Sequence, residues 1–293
     1  MNQAMSGPPT PKKLSVPAIR GRKGGDRLAM VTAYDVAFAR LAEQAGVDMI
    51  LVGDSLGMVT LGYDSTVPVT ITDILHHSRA VVRGAPATHV VADLPFLTFQ
   101  IDDAQAIQNA GRLLQEAGVD SVKIEGGSRL APRIRSVVDA GIPVVGHVGL
   151  TPQAAGVLGG FRVQGRDLTT ARQILEDARA VAAAGAFALV VEAVPADLGD
   201  LITQQVSIPT IGIGAGPGCD GQVLVCHDLL GLEDRLAPRF TKRYAELGRA
   251  ARDAFAAYAR EVRSGAFPDS AHSYAMPAET ADQLREAAKQ DRD

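Results

Sequence analysis

Met49-Ile50-Leu51-Val52-Gly53-Asp54-Ser55-Leu56-Gly57 is a short apolar run that stops at a carboxylate and a hydroxyl set between two glycines. Four apolar residues bounded by Gly and Asp have the form of a buried parallel strand entering a tight turn. Asp54 and Ser55 then stand at the strand's carboxyl end. The alternative, for this stretch alone, is a solvated Asp that caps the following element.

The same pattern recurs along the chain. Strand-like apolar runs fall at 28–32, 49–52, 88–92, 121–124, 143–146, 187–191 and 209–213, with a weaker eighth at 223–226. Amphipathic stretches at 36–45, 71–83, 102–117, 129–140, 170–184 and 196–205 separate them. Several of these end in Ala-Gly, at 45–46, 117–118, 140–141 and 184–185, the signal of a helix C-terminus. Strands alternating with helices imply parallel pairing through right-handed crossovers, and eight such units close into a (β/α)8 TIM barrel. A doubly wound sheet is the alternative, but its glycine-rich dinucleotide fingerprint is missing from the first turn, Thr32-Ala33-Tyr34-Asp35. The stretch 240–262 is expected as the closing helix, with Tyr244, Leu247, Phe255 and Tyr258 on its buried stripe.

Length and composition agree with this reading. A chain of 293 residues with 46% hydrophobic content can build a sizeable core, as one barrel or as two smaller domains. Its net charge of −4 lacks the basic tract that would hold nucleic acid or an anionic membrane. No apolar run approaches the roughly 18 residues of a membrane span, and the first residues lack a signal peptide's apolar region. Cys219 and Cys226 have no metal spacing and read as buried thiols in a reducing compartment, the cytoplasm. The expected organisation is a disordered tail over 1–12, a barrel domain with a short N-terminal helix over 13–274, and a flexible tail over 275–293.

Barrel active sites form at the carboxyl ends of the strands. Those ends carry, in order, Asp54-Ser55, Asp93, Lys123 with Glu125, His147, Glu192, and Gly212-Ile213-Gly214-Ala215-Gly216. Lys123 and Glu125 are two apart and so share one face of their strand. Asp54, Asp93 and Glu125 at one mouth would repel one another unless a cation or a proton were shared. All three offer hard oxygen donors, which favour magnesium, with manganese as a substitute. An ordinary ion pair, for instance Glu125 with Lys123, is the alternative. Glu192 ends a strongly apolar run and suits a general base, or else a partner for a barrel cation. His147 could contact a substrate or serve the structure, and the glycine-rich segment could cradle phosphate or allow close backbone approach.

Read together, these motifs resemble a family. Val52-Gly53-Asp54-Ser55-Leu56-Gly57-Met58, Gly62-Tyr63-Asp64-Ser65-Thr66, Ala92-Asp93-Leu94-Pro95-Phe96 and Val122-Lys123-Ile124-Glu125-Gly126-Gly127 are similar to segments of ketopantoate hydroxymethyltransferases. So are Gly146-His147-Val148-Gly149-Leu150-Thr151-Pro152-Gln153, Val163-Gln164-Gly165-Arg166 and Gly212-Ile213-Gly214-Ala215-Gly216. The resemblance runs in order over 16–273. One motif departs: Arg162 closes Gly159-Gly160-Phe161-Arg162 where many members have Lys, which keeps the charge.

The resemblance implies a barrel of the phosphoenolpyruvate/isocitrate lyase-like superfamily, often a homo-oligomer of ten subunits. It implies transfer of a hydroxymethyl group from 5,10-methylenetetrahydrofolate to 3-methyl-2-oxobutanoate, giving 2-dehydropantoate for pantothenate and coenzyme A synthesis. Asp54, Asp93 and Glu125 would hold Mg2+; Asp54, Ser55, Asp93 and Lys123 would hold the oxoacid; and Glu192 would accept the proton, with His147, from its own position at a strand end, a candidate auxiliary. Another metal-dependent carbon–carbon lyase or transferase of the superfamily is the alternative. The lack of a cysteine in a catalytic loop argues against an isocitrate-lyase-type acid.

Overall fold

The computed structural model describes residues 13–232 and 238–290, and the tail expected over 1–12 lies outside them. Eight parallel strands close into a barrel in sequence order. They are β1 Leu28–Thr32, β2 Met49–Val52, β3 His89–Asp93, β4 Ser121–Glu125, β5 Val144–Gly149, β6 Ala188–Glu192, β7 Thr210–Ile213 and β8 Gly221–Leu224. Closure is completed by β8 pairing with β1, Leu28 beside Gly221 and Met30 beside Val223.

A short helix, α1 Val16–Arg20, precedes the barrel with Pro17 in its first turn, where a missing N–H costs nothing. The crossovers then use α2 Val36–Gln44, α3 Leu56–Val59, α4 Ile71–Gly84, α5 Asp103–Arg112, α6 Ala131–Asp139, α7 Ala155–Leu158, α8 Leu168–Ala183 and α9 Ala196–Gln205, and α10 Cys226–Leu229 follows the last strand. Local chemistry sets their starts. Asp35, Asp102 and Asp167 each accept backbone N–H bonds at a helix N-terminus, and Thr70 with Asp73 forms a reciprocal capping box. At the other ends Gly46, Gly118, Gly141 and Gly185 all take positive φ, as the Ala-Gly pairs anticipate.

Strand parity divides the core in two. Leu28, Met30, Met49, Leu51, Val91, Val145, Val190, Ile211 and Val223 pack together as the barrel lumen. Their neighbours, including Ile50, Val90, Val122, Ile124, Leu189 and Val191, pack outward beneath the helices. Because side chains alternate along a strand, each lumen stripe continues at the carboxyl end into the next inward residue. Those residues are Asp93, Lys123 with Glu125, His147 and Glu192.

The chain groups into two compact units that divide between Tyr244 and Ala245. The second contains α11 Leu247–Ser264 and α12 Ala278–Gln290, neither with a buried residue. The expectation of a buried stripe on the closing helix is therefore corrected. Tyr244, Leu247, Phe255 and Tyr258 are 65%, 40%, 73% and 57% exposed. A helical period shows that one face is apolar; it does not supply the surface that covers it. No helix among the described residues is long and apolar enough to cross a membrane. Both cysteines are free and buried, and burial pushes the Cys226 thiol up to about 11.

Candidate active site

The carboxyl ends of the strands surround a small cavity of about 90 Å³ that opens to solvent at its mouth. Asp54, Ser55, Asp93, Lys123, Glu125, His147 and Glu192 all line it, so every site residue read from the sequence meets at one place. The glycine-rich segment contributes only Ile213. Leu51, Val190, Ile213 and Val223 add apolar surface to the lining.

Strand register explains the convergence. Asp93 lies beside Lys123, Glu125 beside His147, and Gly149 beside Glu192. Lys123 Nζ is 3.1 Å from Asp93 Oδ1, 3.9 Å from Glu125 Oε1 and 3.1 Å from His147 Nδ1. His147 Nε2 lies 3.1 Å from Glu192 Oε2, and its Nδ1 lies 3.5 Å from Glu125 Oε1. One imidazole thus spans the Lys123–Glu125 pair and the Glu192 carboxylate. The backbone holds Glu192 closely: Leu150 N–H donates to its carbonyl at 2.9 Å. Gly149, at φ 93°, makes this possible, since a Cβ there would overlap that carbonyl. Ala193 follows at φ 48°, its N–H bonded to Ile213 O at 2.8 Å.

Burial governs the electrostatics. Desolvation, then the charges of Asp93 and Glu125, hold the Asp54 carboxyl well above the usual carboxylate range. Asp93 is also raised, by burial, against the lowering effect of Lys123. Glu125 is lowered: burial opposes ionisation, but His147 and Lys123 outweigh it. For Lys123, burial disfavours the ammonium, yet Asp93, Glu125, Asp54 and Glu192 raise it and keep it charged. His147 is raised as well, its two carboxylate neighbours outweighing burial and the Lys123 charge.

Two residues without an assigned role in the sequence belong to the site. Tyr34 bonds its hydroxyl to Ser55 Oγ at 2.8 Å and is 3% exposed, which engages the serine hydroxyl from behind. Gln153 donates from its side chain to Asp54 Oδ2 at 2.8 Å and from its backbone to Glu125 Oε2 at 3.1 Å. Its place at the end of the Gly146–Gln153 motif was the available signal.

A sequence profile described as Ketopantoate hydroxymethyltransferase matches residues 13–270. The chain belongs to this family. The 3-methyl-2-oxobutanoate hydroxymethyltransferase of Heliobacterium modesticaldum is 57% identical over 266 residues, covering 90% of this chain and 96% of that protein. The enzyme of the same name from Moorella thermoacetica is 57% identical over 263 residues, covering 89% and 98%. As a member of the ketopantoate hydroxymethyltransferase family the chain is a transferase, and its family belongs to pantothenate synthesis. Among solved structures, a 2,3-dimethylmalate lyase of the PEP mutase/isocitrate lyase superfamily overlays with a TM-score of 0.59 at 17% identity, covering 94% of this chain and 93% of that one. A phosphonopyruvate hydrolase overlays with a TM-score of 0.57 at 15% identity, covering 94% and 96%. These two likenesses concern the barrel fold.

Proposed function

We propose that the cavity enolises 3-methyl-2-oxobutanoate and joins its C3 carbon to the one-carbon unit of 5,10-methylenetetrahydrofolate, whose bonds to the folate nitrogens break as water supplies the hydroxyl oxygen, giving 2-dehydropantoate and tetrahydrofolate. The observation that carries this reading is a cavity lined both by a buried Lys123–carboxylate cluster, with Glu192 in the same lining, and by apolar side chains. A small branched oxoacid has matching charged and apolar parts.

Asp54, Asp93 and Glu125 are the side chains proposed to hold a divalent ion. Among the described residues no three His, Cys, Asp or Glu side chains are gathered as a finished ligand set. The donor chemistry nevertheless fits: all three are hard oxygen donors, and the buried Asp93 Oδ1 and Glu125 Oε1 lack a well-directed hydrogen bond, with Lys123 Nζ and His147 Nδ1 as their nearest cationic groups. The raised Asp54 and Asp93 carboxyls express the same deficit of positive charge. Asp54, Asp93 and Glu125 would hold Mg2+ or Mn2+, which when bound supplies Lewis-acid polarisation of the ketone oxygen.

The chain's own groups account for the rest. Lys123, kept charged by its neighbours, pairs with the oxoacid carboxylate, and Asp93 and Ser55 orient it. Glu192 accepts the proton from C3 at its carboxylate, and His147 Nε2, 3.1 Å away, holds that carboxylate in place. The apolar lining of Val190, Ile213 and Val223 takes the two methyl groups and excludes water from the carbanion. We place the enzyme in the cytoplasm as a homo-oligomer, with ten subunits by family resemblance, and the barrel domain at 13–274.

The test is an assay with 3-methyl-2-oxobutanoate, methylenetetrahydrofolate and Mg2+, each omitted in turn. 2-Dehydropantoate should form only in the complete mixture. Full turnover without the folate, or in excess chelator, overturns the reading.

A further inference from the structure

Gln153 lies in the single 3-10 turn Pro152–Ala154 that follows β5, and it is 7% exposed. Its Nε2 lies 2.8 Å from Asp54 Oδ2 and 2.9 Å from Leu94 O, a carbonyl that can only accept. The amide orientation is therefore dictated by the Leu94 carbonyl, because the flipped amide would set Oε1 against that acceptor and leave it unpaired. Oε1 in turn faces Gln100 Nε2 at 3.4 Å. The backbone N–H of the same residue donates to Glu125 Oε2 at 3.1 Å, while Glu125 Oε1 has no well-directed hydrogen bond and only the looser approach of His147 Nδ1 at 3.5 Å and Lys123 Nζ at 3.9 Å.

One residue thus fastens the carboxylate after β2, the backbone after β3 and the carboxylate ending β4. The two carboxylates belong to elements that share no direct strand pairing, since β3 lies between β2 and β4. Holding one oxygen of a carboxylate with an outer donor while its partner oxygen stays available is how ligand orientation is commonly set at metal centres.

We infer that Gln153 is a positioning residue that sets the divalent-cation affinity of the barrel mouth by orienting Asp54 and Glu125. This inference rests on the proposal that those carboxylates, with Asp93, hold the cation. Gln153 is assigned no contact with the oxoacid or the folate; it acts through the two carboxylates. Its amide donors suit this task because they add no charge to a mouth already rich in carboxylates, whereas a Lys or Arg there would compete with the cation.

The experiment measures Mn2+ binding directly, by the electron paramagnetic resonance signal of free Mn2+, on the full chain and on Asp54→Asn, Gln153→Leu and Gln153→Met. Leucine keeps most of the volume and the backbone N–H to Glu125 but removes the donors to Asp54 and Leu94. Methionine does the same with a more adaptable side chain. The parent chain should bind Mn2+, Asp54→Asn should lose it, and both Gln153 variants should bind about 10- to 100-fold more weakly. Their far-ultraviolet circular dichroism and cooperative melting should be retained. Gln153 variants that bind within twofold of the parent while Asp54→Asn does not would overturn the inference and leave the metal reading intact. A parent chain that does not bind Mn2+ defeats the metal reading itself, and the inference with it. Loss of cooperative melting in both Gln153 variants also counts against it, because a positioning role leaves the fold in place.

Discussion

The two ends of the barrel are built from the same residue types and treat them in opposite ways. At the amino-end floor the buried charge of Asp220 is answered by four donors. Asp220 accepts from Lys23 Nζ at 2.9 Å, Gly24 N–H at 2.9 Å, Thr210 N–H at 2.8 Å and the Thr210 hydroxyl at 3.2 Å. Although burial would raise it, these donors hold its carboxyl below the usual range. His89 sits between Leu14 O and Ser121 Oγ, at 3.0 and 2.9 Å, and burial lowers its pKa and keeps it neutral. At the carboxyl-end mouth, Asp93 Oδ1, Glu125 Oε1 and His147 Nε2 are buried without a well-directed hydrogen bond. Asp54 and Asp93 are raised there. The floor fastens the barrel; the mouth holds charges in an arrangement that stability alone would not select.

That contrast can be broken by substitution. The largest effect belongs to the mouth: Glu192→Gln should lower kcat by about 10²- to 10⁴-fold and abolish exchange of the oxoacid C3 proton in deuterated water. Its melting temperature should stay unchanged. Unimpaired exchange would remove Glu192 from the role of base.

Asp220→Asn should do the reverse at the floor, costing about 1–3 kcal/mol of stability at pH 7 with the turnover of folded enzyme preserved. A carboxyl lowered in the folded state stabilises above its unfolded value of about 4 and loses that contribution as pH falls through the folded value. Urea denaturation at pH 7 and at pH 3.5 should therefore show the variant and parent converging in acid. A gap that persists unchanged would show that the Asp220 charge is not what matters.

Asp54→Asn should stabilise the chelator-treated protein by about 1–2 kcal/mol, the scale on which relieving a poorly compensated buried charge acts. Here the sign is opposite. A carboxyl raised in the folded state penalises folding increasingly as pH climbs above its unfolded value, so the advantage of the variant should grow from pH 5 to pH 8. No gain at pH 8 would place Asp54 with the well-compensated floor residues.

Lys13→Met should give the smallest change, about 0–1 kcal/mol by the same measurement. Its pair with Asp120 spans 2.9 Å, but both side chains are partly exposed, and Asp120 also accepts from Val90 N–H. A larger loss would mark Lys13 as a true part of the floor.

Strand positions at 28–32 and 49–52 and the helix at 196–205 coincide with the observed elements, because period and glycine punctuation are local properties. The eighth strand is shifted, found at Gly221–Leu224 rather than 223–226. Gly221 fits there because a Cβ would crowd the Leu28 carbonyl on β1, a contact invisible along the chain. The helix expected over 102–117 changes to a π-turn at Leu113–Ala117.

Met49-Ile50-Leu51-Val52-Gly53-Asp54 by itself determined a buried strand ending in a carboxylate, and its repetition determined the barrel and the lumen-facing order of Asp93, Lys123, Glu125, His147 and Glu192. Side-chain alternation within a strand is enough for that. Only the tertiary structure decided that Gln153 answers Asp54 across 99 positions, that Tyr34 engages Ser55, and that the stripe of Phe255 and Tyr258 stands exposed. Hydrogen bonds and packing between distant segments depend on where closure of the barrel brings them, and no local period carries that information.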